Sequence, residues 1–472
     1  MLHFHVEGIS ININTGKKRL ALVLLGPHYI RSWVDTGLLR ALFDTEEIDV
    51  TVFAPQHVVD RWVDADQYET SIIESIEPTR AATNLVALSW VALRSRSLTF
   101  RFALERNFLS DYQLFPFRIG LKKGIIQFLR NIRTIAANTK AKRKTVLYFF
   151  PLFRVLSQRN RQKLENGHAL PSQIVNGNFD WLVMPCNALD ELMTDYLAHA
   201  KQIGLRSLLA IDNWDNLTSK SAFVVQPDVV TVMGAKCVQY AIEIHDSDPK
   251  TVLPIGLPRF DVYRALKKNG GAAKNSATKR VLYAGFSLAH SEKRVVDALA
   301  NYLDAKYGPG VVVVHYRPHP LGVPHIDDYE IKNEHVVVTE HGELSRTGLP
   351  HMDDEFINAL TEADVVVGAP TTLMLEAMLI GRPCVLDITS DKYHRTTAGN
   401  AARRYTHMRD LLAVRELARG ETHEQLIIEV NRVLESGVAS MDYGIHHLYD
   451  TTAASYVEQL KSVLLARPTS NI

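Results

Sequence analysis

Short runs of apolar, mostly β-branched residues alternate along this chain with stretches of helical period. In the first half, the runs at 20–25, 49–54, 181–184 and 206–211 each stop at a glycine, a proline or an aspartate. Apolar runs of four to eight residues, bounded by turn residues, are typical of strands that are buried on both faces. The alternation of such strands with helices predicts an α/β fold with parallel sheets.

The same pattern continues to the C-terminal end of the chain. Further predicted strands lie at 228–233, 251–255, 280–284, 311–316, 336–339 and 365–367. Predicted helices lie at 30–43, 189–203, 236–244, 373–380, 422–435 and 451–465. Between them, the segment 267–279 is rich in Gly, Ala and Lys and is predicted to be an interdomain linker. A chain of 472 residues is long enough for two domains, each with its own core.

One strand–loop–helix element carries the strongest chemical signal. The β-branched run 365–367 predicts a buried strand, which Gly368 and Pro370 end. Thr371 or Thr372 is then suited to cap the helix that follows. The first N–H groups of a helix have no partner within it, and the helix dipole is positive there. This element therefore predicts a phosphate site.

The helix at 373–380 ends at Gly381 and Pro383, and Glu376 lies one turn inside it, where a carboxylate could bind ribose hydroxyls. With Ala377, these residues form a Glu-Ala-x-x-x-Gly-x-Pro pattern. The pattern resembles the nucleotide-binding half of glycosyltransferases with the GT-B fold. In that family the Glu usually binds the donor ribose and the preceding loop lies near the diphosphate. The alternative is an ordinary strand–helix turn of a doubly wound protein.

This resemblance implies two Rossmann-like doubly wound domains that face each other across a cleft. It also implies a nucleotide-sugar co-substrate, with no cofactor and no metal. The predicted units are an N-terminal acceptor-side domain at 1–262 with a basic insertion at about 94–163, a linker at 263–279, a C-terminal nucleotide-sugar-binding domain at 280–450, and a C-terminal helix at 451–472 that returns to the first domain.

A second candidate phosphate site follows two other predicted strands. Arg317, Pro318 and His319 follow the strand at 311–316, where ligands bind in open α/β sheets. An arginine can clamp a diphosphate, and a histidine can donate or shuttle a proton. The loop is similar to one in teichoic-acid-type glycerophosphotransferases and some capsule Kdo transferases. Gly285 and Ser287, after the strand at 280–284, resemble a phosphate-binding loop and are weaker evidence alone.

The segment 212–220 places seven polar side chains directly after a predicted strand. It is either a turn or a site for sugar hydroxyls. Asp212 and Asp215 are candidate general bases. His28, just after the first strand, is a third, because many inverting GT-B enzymes have their base there; here a Pro separates it from Gly26. The candidates for contact with the sugar or its acceptor are Asn213, Trp214, Asn216 and Lys220.

The segment 94–163 is strongly basic, with 17 Lys and Arg residues against two acids, although the whole chain has a net charge of +1. Within it, 117–137 is predicted to be an amphipathic basic helix that suits an anionic membrane surface or an anionic polymer. The alternative is a solvated set of helix faces. The residues predicted to contact such a surface are Lys122, Lys123, Arg130 and Arg133.

Other features restrict the class of protein. The three cysteines are scattered, which favours reduced thiols. Residues 1–18 lack the apolar core of a signal peptide, and no window is apolar enough for a membrane span. There is no Asp-x-Asp metal motif and no Walker A motif. These features predict a cytoplasmic protein, with peripheral attachment to the inner face of the membrane through the basic segment, and no nucleic-acid partner.

The sequence therefore predicts a metal-independent GT-B glycosyltransferase that moves a sugar from a nucleotide-activated donor to a hydroxyl of a surface-glycan or lipid-linked acceptor. Three alternatives stay open. A CDP-glycerol-type polyol phosphotransferase would use the Arg-x-His-Pro loop, and a UDP-sugar 2-epimerase would share the architecture without a polymeric acceptor. A non-catalytic protein that binds an anionic polymer would have the GT-B scaffold without its catalytic activity.

Overall fold

The structure is a computed structural model of the chain. The residues that it describes are 5–6, 9–10, 16–62, 64–74, 77–93, 96–100, 153–186, 191–220, 222–261, 263, 278–286, 291–319, 329–339, 354–390, 397–449 and 455–466. The predicted basic helix at 117–137 lies outside these residues. Of the predicted linker at 267–279, only Thr278 and Lys279 are described, and Lys279 already begins a strand.

The first sheet has seven strands, all parallel, in the order β5-β4-β3-β6-β7-β8-β9. The strands are β3 (Lys18–Val23), β4 (Ile48–Pro55), β5 (Thr70–Ile73), β6 (Trp181–Cys186), β7 (Arg206–Ile211), β8 (Val229–Val232) and β9 (Val252–Pro254). Two short antiparallel strands, β1 (His5–Val6) and β2 (Ile9–Ser10), precede them. In β6 every residue is buried, because a central parallel strand has helices on both faces.

The second sheet has six parallel strands in the order β12-β11-β10-β13-β14-β15. They are β10 (Lys279–Ala284), β11 (Val312–Arg317), β12 (Val336–Val338), β13 (Val365–Gly368), β14 (Cys384–Asp387) and β15 (Ala418–Gly420). In both sheets the chain runs outward from a central strand to one edge and then returns to fill the other side. This is the doubly wound order, so the prediction of an α/β fold with two such domains is confirmed.

Helices connect the strands in both domains. Those before the second sheet are α1 (His28–Ile30), α2 (Leu38–Phe43), α3 (Gln56–Val59), α4 (Arg80–Leu93), α5 (Phe153–Glu165), α6 (Ser172–Val175), α7 (Glu191–Gln202), α8 (Asn216–Ser219) and α9 (Ala235–His245), with a π-helical turn at Arg31–Asp35 and a 3-10 turn at Ala65–Gln67. The later ones are α10 (Glu292–Tyr307), α11 (Asp354–Glu362), α12 (Thr372–Leu379), α13 (Ala398–Arg404), α14 (Thr406–Leu412), α15 (His423–Ser436), α16 (His446–Tyr449) and α17 (Tyr456–Leu465).

The apolar core continues from the first domain into one face of the second sheet. Leu282 and Val366 belong to the same buried cluster as the residues of the first sheet. Their strand neighbours Val281 and Val365 point to the other face, where they pack against α10 and α15 in a separate cluster. This alternation follows from the two-residue period of a strand. The second domain therefore buries one face of its sheet in a core that it shares with the first.

The last helix, α17, lies against the first domain. The indole Nε1 of Trp181, in the central strand β6, donates to the carbonyl oxygen of Leu464 at 3.0 Å. The side chain of Gln459 donates to the carbonyl oxygen of Ile255 at 3.1 Å. A Ser455–Glu458 capping box fixes the start of this helix. Helix α17 thus packs on the first domain although it follows the second sheet in the chain.

The predicted continuous helix at 30–43 is wrong. The segment consists of α1, the π-helical turn and α2, and α2 begins only after Gly37. Gly37 has φ +75°, which is in the left-handed region that glycine adopts without steric cost. A residue with that φ interrupts the right-handed helix. In the described part of the chain, no helix is long and apolar enough to cross a membrane.

Candidate functional site

The point where strand order reverses marks the candidate site in each sheet. In open α/β sheets, ligands bind beyond the carboxyl ends of the strands at this point. In the second sheet the reversal lies between β10 and β13, which are followed by Gly285 and by the loop from Gly368 to Thr372. In the first sheet it lies between β3 and β6, and His28 follows β3.

Two predicted phosphate-binding loops touch at the second-sheet reversal. The backbone N–H of Gly285 donates to the carbonyl oxygen of Arg317 at 2.8 Å. A Cβ atom on residue 285 would lie 2.7 Å from the backbone nitrogen of His319 and 2.9 Å from the Cα of Pro318. Only glycine allows this close packing. The structure therefore brings Gly285, Arg317 and His319 together, while Ser287 lies outside the described residues.

A buried carboxylate that the sequence analysis missed supports these loops. Glu292, at the start of α10, is only 3% exposed. One carboxylate oxygen accepts from the backbone N–H of Phe286 at 2.7 Å, and the other accepts from the hydroxyl of Tyr316 at 2.7 Å. Glu292 thus ties the loop after β10 to the end of β11. An acidic first-turn residue is so common in helices that the sequence offers no specific signal for this role.

The start of α12 meets the polar loop of the first domain. Thr371 occupies the N-cap position, but its side chain makes no capping hydrogen bond, so that detail of the prediction is wrong. The hydroxyl of Thr372 instead donates to Oδ1 of Asn213 at 3.1 Å. The same Asn213 oxygen accepts from the backbone N–H of Trp214 at 2.9 Å. Residues predicted for the donor and for the acceptor are therefore in direct contact across the two domains.

Glu376 is held by Arg259 and Tyr263, which lie between the last strand of the first sheet and the second sheet and are counted here with the first domain, although residue 263 was predicted to begin the linker. One of its carboxylate oxygens pairs with Nε of Arg259 at 2.7 Å, and the other accepts from the hydroxyl of Tyr263 at 3.1 Å. Arg259 also donates to the carbonyl oxygen of Asp212 at 3.1 Å. Burial disfavours its charge, but Glu376 and Asp212 outweigh burial and raise the pKa of Arg259 above its ordinary value. Arg259 and Tyr263 were not predicted as site residues, because their partner Glu376 lies more than a hundred residues away in the chain.

His28, Asp215 and Lys220 form a group of ionisable side chains beyond the first sheet. Nζ of Lys220 lies 2.9 Å from Oδ2 of Asp215. Burial raises the pKa of Asp215, but the charges of Lys220 and His407 outweigh it and lower the pKa overall. Burial, and then the positive charge of Lys220, lower the pKa of His28 to about 4. At neutral pH His28 is therefore an uncharged imidazole, whereas the Asp215 carboxylate is ionised and paired.

Two other residues of the polar loop are packing residues in this structure. Trp214 is 2% exposed, and its ring lies edge-on to the rings of His407 and Tyr449, with centroid distances of 4.8 Å and 5.8 Å. Asn216 is fully buried, and its side-chain amide donates to the carbonyl oxygen of Cys186 at 2.6 Å. Both hold the loop in place. Asn213 and Lys220 are the partly exposed members of the predicted set.

His407 brings a second-domain helix into the same group. It lies in α14, and its Nδ1 is 2.6 Å from the hydroxyl oxygen of Thr218. Burial is the main reason why its pKa falls to about 4; Lys220 lowers it further, whereas Asp215 acts in the opposite direction. His407 was not predicted as a site residue, because its partner Thr218 lies 189 residues away in the chain. Among the described residues, no group of three or more His, Cys, Asp or Glu side chains is placed to hold a metal ion.

We expect the protein to lose stability in mild acid because of two buried histidines, His245 and His407, and the half-buried His28. His28, His245 and His407 have a folded-state pKa of about 4, against 6.5 for a free side chain. Between these values the unfolded chain binds more protons, so stability falls as the pH is lowered through this window. Each histidine contributes up to about 1.4 kcal/mol per pH unit. The measurement is the urea midpoint from pH 7 to pH 4.5.

The variant His245→Gln isolates one of these contributions. In the wild type, Nε2 of His245 donates to the carbonyl oxygen of Leu217 at 2.6 Å, and glutamine can keep a donor there. The variant should show a shallower dependence of the unfolding free energy on pH than the wild type. An identical pH dependence in both proteins would contradict the assignment of this histidine.

No protein-family model matches the chain, and no curated protein matches it. Solved structures are similar over nearly its whole length. They include the UDP-GlcNAc 2-epimerase of Methanocaldococcus jannaschii, at 9% identity and a TM-score of 0.49 over 95% of this chain and 100% of that one. They also include the UDP-GlcNAc-bound 2-epimerase of Neisseria meningitidis, at 10% identity and a TM-score of 0.48 over 95% of this chain and 99% of that one. A glycosyltransferase of Rickettsia africae is similar at 8% identity and a TM-score of 0.44 over 95% of this chain and 98% of that one. The function proposed below rests on the geometry of this chain's own residues.

Proposed function

We propose that the protein is a glycosyltransferase that takes a sugar from a nucleotide-activated donor and transfers it to a hydroxyl group. The observation that carries this proposal is the contact between Thr372 and Asn213. It places the N-terminal turn of a helix suited to phosphate beside a loop of polar side chains on the other domain. A donor at the first and an acceptor at the second would have their reacting groups at one place.

The donor is assigned to the second domain. The first-turn amides of α12 would bind the diphosphate, and Arg317 and His319, packed on Gly285, would neutralise the charge that develops on the leaving group. Glu376 would accept from the ribose hydroxyls. This arrangement requires neither a metal nor a cofactor.

The acceptor is assigned to the first domain, with His28 as the base. The acceptor hydroxyl would attack the anomeric carbon as His28 takes its proton, and the bond from that carbon to the nucleotide's phosphate oxygen would break. His28 is uncharged at neutral pH, so its nitrogen can accept a proton. Asp215 is paired with Lys220 and is assigned to hold that lysine in place.

An assay with radiolabelled nucleotide-sugars tests the proposal against its alternatives. Label that moves to an added glycan or lipid-linked acceptor supports a glycosyltransferase. Conversion to the 2-epimer of the donor, with no acceptor present, would instead indicate a UDP-sugar 2-epimerase. Transfer of glycerol phosphate from CDP-glycerol would indicate a polyol phosphotransferase. Binding without any turnover would leave a non-catalytic protein on this scaffold.

We also propose that the basic segment attaches the protein to anionic membranes. Arg159, Arg161 and Lys163, at the end of the segment that lies in α5, are exposed. Changing Lys122, Lys123, Arg130 and Arg133 to Gln should abolish co-sedimentation with phosphatidylserine vesicles, because each basic residue near such a surface contributes about 1 kcal/mol. The control removes the same charge from the exposed Lys201, Lys250, Arg415 and Arg432. Equal vesicle binding by both variants would refute attachment through this segment.

A further inference from the structure

The pair between Arg259 and Glu376 joins the two domains in a nearly dry environment. The side chain of Arg259 is 12% exposed and that of Glu376 is 6% exposed. Arg259 precedes the second sheet in the chain, whereas Glu376 lies in α12, between two strands of that sheet. Removing two charges from water is costly, and a pair of this kind is not in itself a source of stability. A contribution to stability therefore does not account for this pair.

The guanidinium group of Arg259 has two partners that belong to different parts of the candidate site. Its Nε contacts Glu376, and a terminal nitrogen donates to the backbone carbonyl of Asp212 at 3.1 Å. Asp212 begins the polar loop of the first domain. A planar guanidinium has donors in a fixed arrangement, so it sets the distance and the angle between its partners. Arg259 therefore fixes where α12 lies relative to that loop.

Tyr263 adds a second restraint on the same carboxylate. Its hydroxyl donates to Oε2 of Glu376, the oxygen that Arg259 Nε does not contact. With both oxygens held, the plane of the carboxylate is set. A carboxylate has about four lone-pair sites, so two remain for other donors, such as ribose hydroxyls. The first domain thus orients Glu376, and the carboxylate keeps acceptor sites for a ligand.

We propose that Arg259 is a positioning residue for the nucleotide site of the second domain, assisted by Tyr263. This inference rests on the proposed function, in which Glu376 and the first turn of α12 hold the nucleotide. Arg259 acts through Glu376 and does not contact the nucleotide itself. The affinity for a nucleotide bound on the second domain therefore depends on side chains that the first domain supplies.

The test compares two mild variants with two matched controls. Arg259→Lys keeps the charge but loses the simultaneous contact with Asp212, and Tyr263→Phe removes one hydroxyl. Arg206→Lys is the control for the first variant. Arg206 begins β7, at the end of that strand opposite to Asp212, and its guanidinium stacks on the ring of Trp181. Tyr307→Phe is the control for the second, because its hydroxyl contacts Asn431 in the second domain, away from the loops after the strands.

Two measurements are made on each full-length protein. The first is the Kd for each of UDP, GDP, CDP, CMP, ADP and dTDP that the wild type binds. This Kd should rise at least about fivefold for Arg259→Lys and Tyr263→Phe and stay at the wild-type value for the controls. The second is hydrogen–deuterium exchange of the α12 amides without nucleotide, which should become faster in the same two variants only. A change in folding alone would accelerate exchange throughout the second domain.

Each outcome separates the inference from the proposed function. Unchanged affinity and unchanged α12 exchange in both variants would overturn the positioning role, even if the wild type binds a nucleotide tightly. If the wild type binds none of the six nucleotides, the proposed function fails and takes the nucleotide site with it. Hydrogen–deuterium exchange then decides only whether Arg259 and Tyr263 position α12: faster exchange confined to α12 supports that contact, and unchanged exchange refutes it. If Arg259→Lys does not fold, Tyr263→Phe gives the decision.

Discussion

Turnover of a nucleotide-sugar is expected to fall about 10²–10³-fold when Arg317 is replaced by alanine, which is the usual effect of removing one group that stabilises charge in a transition state. Arg317 ends β11, and its loop packs on Gly285 at the reversal of strand order. His319→Ala should have a smaller effect in the same direction. The measurement is kcat with the donor that the protein accepts, together with the urea midpoint.

The control for this loss is Arg280→Ala. Arg280 lies near the start of the neighbouring strand β10, so it is at the N-terminal ends of the strands, whereas Arg317 is at a C-terminal end. It forms an exposed pair with Glu362. Its replacement should leave kcat unchanged. The proposed role of Arg317 at the leaving group is refuted if the Arg317→Ala variant has the wild-type kcat, or if its loss of activity is matched by a loss of folding stability.

Glu376→Ala is expected to lower the free energy of unfolding by about 3–5 kcal/mol, because it leaves the charge of Arg259 buried without its partner. Glu376 is 5% exposed and has two hydrogen-bonded partners from the other domain. At temperatures where the variant is folded, nucleotide affinity should also fall by about 1–3 kcal/mol if the carboxylate holds the ribose. Urea unfolding and calorimetric titration measure the two effects separately.

Glu362→Ala is the matched control for stability. Glu362 also pairs with an arginine, Arg280, but the two side chains are 49% and 39% exposed. Exposed pairs of this kind contribute at most about 1 kcal/mol. Similar destabilisation by both variants would contradict the view that the Arg259–Glu376 pair is special. Unchanged nucleotide affinity in Glu376→Ala would refute only the proposed contact between the Glu376 carboxylate and the ribose.

The sheets could be predicted because their strands are buried on both faces. A run such as Val365–Gly368 has no polar position that would suit a helix face, and Gly and Pro residues mark where it ends. The short edge strands β5 and β15 were not predicted, because their sequences, TSII and ARG, lack the continuous apolar run that marked the other two edge strands, β9 and β12. The break at Gly37 was missed, since an isolated glycine is tolerated in many helices.

The two sides of the candidate site could be predicted, but the contacts between them could not. Gly285, Arg317 and Thr372 were found because each follows a predicted strand, where ligands bind in open sheets. Arg259 and His407 were missed, because their roles depend on partners more than a hundred residues away, Glu376 and Thr218. Which domain surfaces meet is a property of tertiary packing that no local pattern records.

The central claim is that the second domain binds a nucleotide at the loops after β10, β11 and β13. Thermal stabilisation by UDP, GDP, CDP, CMP, ADP and dTDP tests it most directly, since a ligand that binds only the folded state raises the unfolding temperature by mass action. We predict a strong shift with one of the six, reduced in Arg317→Ala and retained in Arg280→Ala. No shift with any of them would contradict the claim.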